Sequence, residues 1–199
     1  MPLPDPPADR PSAPGTAAPV VLVLASGRGE RFRASGGESH KLQVLLAGKS
    51  VLEHTLDAVR DSGLAVHVED APHPGMGDSI AAAVRATVDA AAWLILPADL
   101  PLVLPATLRA VAQAPAHHSV VRPVYQGRHG HPVRFTHECA PALLALRGDG
   151  GAAAVARQHR LWAVEVDDPG CVLDIDTVED LRQAQQILAA RSAAQTRRD

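Results

Sequence analysis

The sequence predicts an α/β fold built on one mixed, mostly parallel sheet with helices on both faces. Three observations carry this expectation. Apolar runs of strand length at 20–25, 65–69 and 93–97 alternate with helical patterns, which is the βαβα order of a parallel sheet. The helix between the first two runs opens on a capping box, Ser50-Val51-Leu52-Glu53, and stops at Gly63. With 199 residues, 46% of them hydrophobic, the chain can bury a continuous core as one domain.

The elements follow in order. Residues 1–19 contain seven prolines among Ala, Asp and Ser, a composition that builds neither helix nor sheet, so they are expected to be a disordered tail. A single domain is expected over 20–191. Beyond the first three strands, runs at 119–124, 131–135, 161–167 and 171–175 complete seven. Asp78 or Ser79 opens an Ala-rich helix at 78–91, and further helices start near Pro105, Thr136 and Thr177. Tyr125-Gln126-Gly127-Arg128-His129-Gly130 joins two short strands as a hairpin tip. Residues 192–199 are polar and expected to fray. In sheets of this type ligands sit beyond the carboxyl ends of the strands, so the loops after Ala25 and Pro97 should share one rim.

Composition narrows the function. A net charge of -3 with scattered acids and bases, and five aromatic residues in all, supplies neither the basic stripe nor the stacking platforms of a nucleic-acid binder. No stretch reads as a membrane span or a signal peptide, and Cys139 and Cys171 are too few for a disulfide framework. The default reading is a cytoplasmic protein with reduced thiols that holds a small anionic substrate.

The chemistry concentrates in a few segments. Leu24-Ala25-Ser26-Gly27-Arg28-Gly29-Glu30-Arg31-Phe32 follows the first apolar run directly, and Lys41 comes soon after. Glycines there let backbone N–H groups turn inward as an anion nest, and Arg31 and Lys41 can neutralise the phosphates it holds. Phe32 stands where a dinucleotide fingerprint needs its third glycine, and Gln43 stands where a P-loop ending in Gly48-Lys49-Ser50 needs its first. Asp99, in Leu96-Pro97-Ala98-Asp99-Leu100-Pro101, projects from a strand end, either as a magnesium ligand or as the cap of the next turn. Asp174 and Asp176 alternate with Leu173 and Ile175, which puts both carboxylates on one face of a strand. Either acid could share a cation with Asp99, with Asp174 preferred, while Asp176 could instead organise a helix start with Thr177 and Asp180. Gly75-Met76-Gly77-Asp78-Ser79 opens a helix whose free N–H groups suit a base or ribose, or is an ordinary start capped by Asp78. His129, His131 and His137 include an H-x-H pair, but a zinc site would need a third ligand the sequence does not identify. His131 reads as a hairpin residue near the acceptor pocket or as a solvent-facing histidine.

With these residues in place, the chain resembles the MobA-like nucleotidyltransferases over essentially all of 20–190, and most closely their molybdenum cofactor cytidylyltransferase branch. The motifs recur in order: Leu24-Ala25-Ser26-Gly27-x-Gly29-x-Arg31, Lys41-Leu42, Gly75 to Ser79, Asp99-Leu100-Pro101, Gly130-His131-Pro132-Val133, and Asp174-Ile175-Asp176-Thr177-Val178-Glu179-Asp180-Leu181. The resemblance implies a Rossmann-like three-layer α/β/α nucleotidyltransferase fold of the GT-A-like kind. It implies that Ala25, Ser26, Gly27, Arg28, Gly29 and Lys41 hold the triphosphate, that Gly75, Gly77 and Ser79 contact the nucleoside, and that Asp99 binds Mg2+ with Asp174 beside it. Gly130, His131 and Pro132 fall on the acceptor side. The implied reaction moves CMP from CTP to the terminal phosphate of molybdopterin or its molybdenum-bearing form, with Arg31, Lys41 and Asp99 catalytic and a recipient molybdoenzyme as a further partner. Guanylyl or other nucleotidyl transfer to another small phosphate, and a noncatalytic cofactor carrier, are the competing readings. Two departures from the family pattern bear on the nucleotide pocket: an extended 33–40 loop and a shortened 63–75 segment.

Overall fold

The computed structural model describes residues 18–196. The expected disordered tail lies outside them but for its last two residues, as do 197–199. In chain order the elements are β1 (Val20–Leu24), α1 (Glu30–Ala34), β2 (Leu45–Leu46), β3 (Lys49–Ser50), α2 (Val51–Ser62), β4 (Ala65–Glu69), α3 (Met76–Ala86), β5 (Ala92–Pro97), α4 (Pro105–Ala112), β6 (Val120–Tyr125), β7 (Arg128–His129), β8 (Val133–Thr136), a 3₁₀ turn (His137–Cys139), α5 (Ala140–Leu144), α6 (Ala153–Ala156), β9 (Leu161–Glu165), a second 3₁₀ turn (Pro169–Val172) and α7 (Val178–Thr196).

Seven strands form one sheet among the described residues, in the order β4-β1-β5-β8-β6-β7, with β9 also on β6. β1 pairs in parallel with β4 and β5, and β6 in parallel with β9, while β8 runs antiparallel to both β5 and β6. Five strands therefore run one way and only β7 and β8 oppose them. The central strands are apolar at consecutive positions because both faces are covered. Val21, Val23, Leu94, Leu96 and Val121 face a core with α2, α4 and α7, whereas Leu22, Trp93, Ile95 and Val120 face a second core with α3, α5 and α6. This period-two split of one apolar run into two cores makes the three layers, and each fully buried large side chain contributes about 1.5–3 kcal/mol.

Local chemistry sets the boundaries. Ser50 Oγ accepts from Glu53 N–H while the Glu53 carboxylate accepts from Ser50 N–H, and Gly63 ends α2 at φ 74, as the sequence predicts. α3 opens at Met76 rather than Asp78, and stops at Ala86 rather than 91, where Thr87 turns its hydroxyl back to the Ala83 carbonyl and also accepts from the Trp93 indole. Near Thr136 a 3₁₀ turn precedes the short α5. α7 stays helical to Thr196, past the point where fraying is expected.

The strand predicted at 171–175 does not form. Asp168 caps the second 3₁₀ turn by accepting from Gly170 N–H, and Gly170 lies so close to the Leu102 backbone that a Cβ would sit 2.0 Å from its carbonyl oxygen. The segment is thereby clamped over the loop after β5, where Ile175 N–H donates to the Asp99 carbonyl, instead of joining a sheet edge. The seventh strand is β7, in the hairpin closed by Gln126 (φ 48) and Gly127 (φ 76).

Candidate active site

β1, β4 and β5 end in register, Leu24 opposite both Glu69 and Pro97, so their following loops share one rim as parallel topology requires. A cavity of about 900 Å³ opens there, lined by the first loop, Lys41, the start of α3, the loop after β5, the β7 hairpin and residues 171–176. Gly29 adopts φ 63, a left-handed turn that favours glycine, whereas a Cβ at Gly27 would meet nothing within 4 Å. Ser26 Oγ lies 2.8 Å from Ser79 Oγ and ties this loop to α3.

A cluster of charge forms the floor. Lys41 Nζ donates to Asp99 Oδ2 at 2.6 Å and to Asp176 Oδ1 at 2.8 Å, and the exposed Arg31 donates to Asp176 Oδ2 at 2.6 Å. Ligand oxygens of Asp99, Asp174 and Asp176 lie within 4.8 Å of one another. Burial disfavours the Lys41 charge, but Asp99 and Asp176 outweigh it and hold the ammonium above the ordinary lysine range. Burial likewise opposes ionisation of Asp176, and Lys41 and Arg31 overcome it and hold the carboxyl below its ordinary value.

Three carboxylates face two cations, and Asp99 Oδ1 is buried with no hydrogen-bond partner. An orphaned buried carboxylate oxygen beside the exposed Asp174 carboxylate is a hard donor set that fits a divalent cation of the Mg2+ or Mn2+ type. The alternation that suggested a strand survives in the extended 173–176 segment, where Ile175 packs into the core and both acids join the cluster. Asp176 does not cap α7. Thr177 and Asp180 do so as a capping box: Thr177 Oγ1 accepts from Asp180 N–H, while the Asp180 carboxylate accepts from Thr177 N–H and Oγ1 and from Asp176 N–H.

The other predicted residues divide into two groups. Ser26, Gly27, Arg28, Gly29, Arg31, Lys41, Gly75, Ser79, Asp99, His131 and Asp174 line the cavity, while Ala25, Gly77, Gly130 and Pro132 stand behind it. Ala25 N–H continues the β-ladder to the Glu69 carbonyl. Gly77 serves close packing, since a Cβ there would meet the Gly150 carbonyl at 2.6 Å, and Gly130 likewise sits against Cys171. Asp78 is not a helix cap either; its carboxylate accepts from Gly148 N–H at 2.7 Å. His131 is not solvent-facing. Burial, then the Arg122 charge, lower it to about 4, so its ring is neutral, with Nδ1 unpartnered. His137 lies at the other end of β8, stacked on Trp93.

The sequence reading missed His73, which lines the cavity between two prolines and meets the buried Glu69 carboxylate at 3.0 Å. Burial opposes the Glu69 charge, but hydrogen bonds from His73 and His67 hold it below the ordinary carboxylate value. The available signal was its place two residues before Gly75 and four residues after a strand-ending acid. Arg128, donating to the Val172 carbonyl at 3.2 Å, brings the hairpin over the cavity as the tip predicts.

Fold and site define an α/β nucleotidyltransferase. Residues 57–162, over half the chain, match the MobA-like NTP transferase domain, and the chain belongs to that family. A nucleoside triphosphate is accordingly its substrate class. The matched span holds Gly75 to Ser79, Asp99 and the Gly130 segment, while Arg31, Lys41, Asp174 and Asp176 lie outside it. Among solved structures, a nucleotidyl transferase from Methanothermobacter is 25% identical with a TM-score of 0.72, covering 88% of this chain and 100% of its own. The Rv0371c protein from Mycobacterium tuberculosis, also solved with manganese, is 24% identical with a TM-score of 0.70, covering 85% and 99%. Molybdopterin-guanine dinucleotide biosynthesis protein A from Archaeoglobus fulgidus is 18% identical with a TM-score of 0.62, covering 86% and 99%. No curated protein matches the chain. No helix among the described residues is long and apolar enough to cross a membrane.

Proposed function

We propose that the protein transfers a nucleoside monophosphate, CMP from CTP, to the terminal phosphate of molybdopterin or its molybdenum-bearing form, releasing pyrophosphate. The convergence of Lys41, Arg31, Asp99, Asp174 and Asp176 beside the Gly27 to Gly29 loop carries this reading. An acceptor-phosphate oxygen forms a bond to the α-phosphorus as the bond from that phosphorus to the α,β-bridging oxygen breaks, and the pyrophosphate leaves with the bonding electrons. The acceptor is already anionic at neutral pH, so no general base is required. The protein has to align two mutually repelling anions and stabilise charge on the leaving group.

Backbone N–H groups of the first loop orient the triphosphate, with Ser26 and Ser79 fixing the loop against α3 at the nucleoside side. Lys41 and Arg31 supply positive charge to the phosphates. Asp99 and Asp174 would hold Mg2+, with Asp176 positioning Lys41 and Arg31 through the two contacts described above. When bound, the ion supplies neutralisation of phosphate charge. Neutral His131 stands at the hairpin end of the cavity, where the acceptor phosphate meets no additional fixed charge on the ring.

The choice of molybdopterin draws support from the name of the Archaeoglobus neighbour, and that of CTP from the motif resemblance. Because that neighbour is named for a guanine dinucleotide, GTP is the competing donor. Pyrophosphate release from CTP, GTP and ATP, measured with and without molybdopterin and Mg2+, tests the proposal. CTP-dependent release requiring both is expected; preferential release from GTP replaces the base assignment, and no release in any combination replaces catalysis with a carrier role.

A further inference from the structure

A second group of metal-ligating side chains lies at the opposite end of the strands from the cavity. β8 leads away from the His131 end, and its last residue, Thr136, pairs with Ala92 at the start of β5. The 3₁₀ turn that follows carries Glu138 and Cys139, and the loop between α6 and β9 brings His159 against them. None of the three lines the cavity.

Cys139 Sγ is 3.6 Å from His159 Nε2, and Glu138 Oε1 is 3.7 Å from Nδ1 of the same ring. One ligand atom from each residue lies within 4.8 Å of the other two. Zinc binds thiolate sulfur at about 2.3 Å and imidazole nitrogen at about 2.0–2.1 Å, so two such ligands at a tetrahedral angle stand roughly 3.5–3.6 Å apart. The observed sulfur–nitrogen spacing is that separation. It is also within reach of a thiol hydrogen bond, and the Ser119 carbonyl at 3.8 Å and Thr136 are the thiol's further polar neighbours. The Glu138 carboxylate is exposed and its contact is with the His159 ring, which leaves the site open to solvent on one side.

We propose that Cys139 and His159, with Glu138 supporting the far side of the imidazole, form a second cation site, which takes a borderline-soft divalent ion, zinc foremost. Ligand chemistry separates it from the carboxylate cluster: thiolate and imidazole select zinc, whereas three carboxylates suit magnesium or manganese. On binding, Cys139 gives its thiol proton to solvent and the thiolate becomes the ligand. Cys139 Sγ and His159 Nε2 are the ligand pair, and Glu138, which meets the other ring nitrogen, holds the imidazole in its orientation from the exposed side. The ion links the α6–β9 loop to the end of β8, so occupancy reports on stability rather than on nucleotide turnover.

The test uses the full chain, stripped with a chelator and titrated with Zn2+ by calorimetry, with Co2+ as a spectroscopic stand-in. One ion per chain is expected, with thiolate-to-cobalt charge-transfer absorption, no displacement by millimolar Mg2+, and a Tm rise of ~5 °C or more at a hundredfold excess over Kd. Cys139→Ser and His159→Gln abolish the charge-transfer band and weaken zinc more than ~100-fold, and Glu138→Gln weakens it roughly 10- to 100-fold. Cys171→Ser and Asp174→Asn keep both signals, which excludes the remaining thiol and the carboxylate cluster as the site. His159 is a quarter exposed and outside both cores, so His159→Gln remains informative if Cys139→Ser does not fold. Absent charge transfer, zinc displaced by Mg2+, or binding that survives both ligand substitutions overturns the proposal. Pyrophosphate release from CTP is unchanged in Cys139→Ser and His159→Gln, so this result and the transferase assignment stand or fall separately.

Discussion

Asp168 and Asp99 are both shielded carboxylates beside the loop after β5, and they are handled in opposite ways. Asp168 is 1% exposed and every oxygen is used: Oδ2 accepts from Leu104 N–H at 2.8 Å and Thr107 Oγ1 at 2.7 Å, while Oδ1 accepts from Gly170 N–H at 2.9 Å and from Arg191 at 3.5 Å. Asp99 shares one lysine with Asp176 through Oδ2, and its Oδ1 has no partner. A buried acid saturated by neighbouring donors holds elements together; a cluster with more acceptors than donors is held in an arrangement that a cation completes. Both are shielded acids of one charge, Asp168 the more deeply buried, and the count of unmet acceptors separates their roles.

The largest effect expected from breaking this contrast is catalytic. Arg31→Ala removes an exposed cation from the cluster, and the rate of pyrophosphate release should fall ~10²–10³-fold, about 2.7–4 kcal/mol in the transition state, with the Tm within a degree or two of wild type. A comparable fall in Tm would make Arg31 a structural residue. Asp168→Ala should do the reverse. It strands buried donors on α4 and the second 3₁₀ turn, costing about 2–3 kcal/mol and lowering the Tm by roughly 4–12 °C, while the folded fraction keeps its turnover. Denaturant unfolding and single-temperature kinetics on the same preparation separate the two.

A third prediction concerns pH. His131 is at about 4 when folded, against 6.5 for an ordinary histidine, so the unfolded chain takes up a proton that the folded one refuses. Its contribution is complete above pH 6.5 and declines as pH falls toward 4, with a slope of up to about 1.4 kcal/mol per pH unit. His131→Asn should flatten that part of the profile. Asp176 is lowered and Lys41 raised, so the pairing between them is lost only as pH drops below the ordinary carboxylate range or climbs above 10.5. The smallest effect belongs to Asp174→Asn: one fewer like charge in the cluster should leave the Tm unchanged or ~1 °C higher while turnover drops. A Tm loss of several degrees would show that Asp174 stabilises the fold.

What the sequence disclosed follows the same division. β1, β4 and β5 are legible because buried parallel strands are apolar at successive positions, and α2 is legible because both of its ends carry local capping chemistry. Arg31, Lys41 and Asp99 stand at recognisable places relative to strand ends and glycines, and their proximity then follows from parallel topology. The segment at 171–175 misleads because alternation reports which side chains face inward, not whether a neighbouring strand supplies a ladder; Gly170 against Leu102 decides that. Asp168 and the Cys139–His159 pair are invisible in one dimension. Apart from Gly170, two residues after Asp168, their partners lie 20 to 64 residues away and no local spacing announces them. Gly77 and Gly130 resemble ligand-binding glycines in sequence, although their close contacts are with Gly150 and Cys171.

The central claim is that the Asp99 cluster performs nucleotidyl transfer, and Asp99→Ala tests it most directly. Pyrophosphate release from CTP should be measured with molybdopterin and Mg2+ on wild type and on variant protein shown by its melting curve to be folded. A loss of ~100-fold or more in the folded variant is the predicted result, and turnover at the wild-type rate would contradict the account.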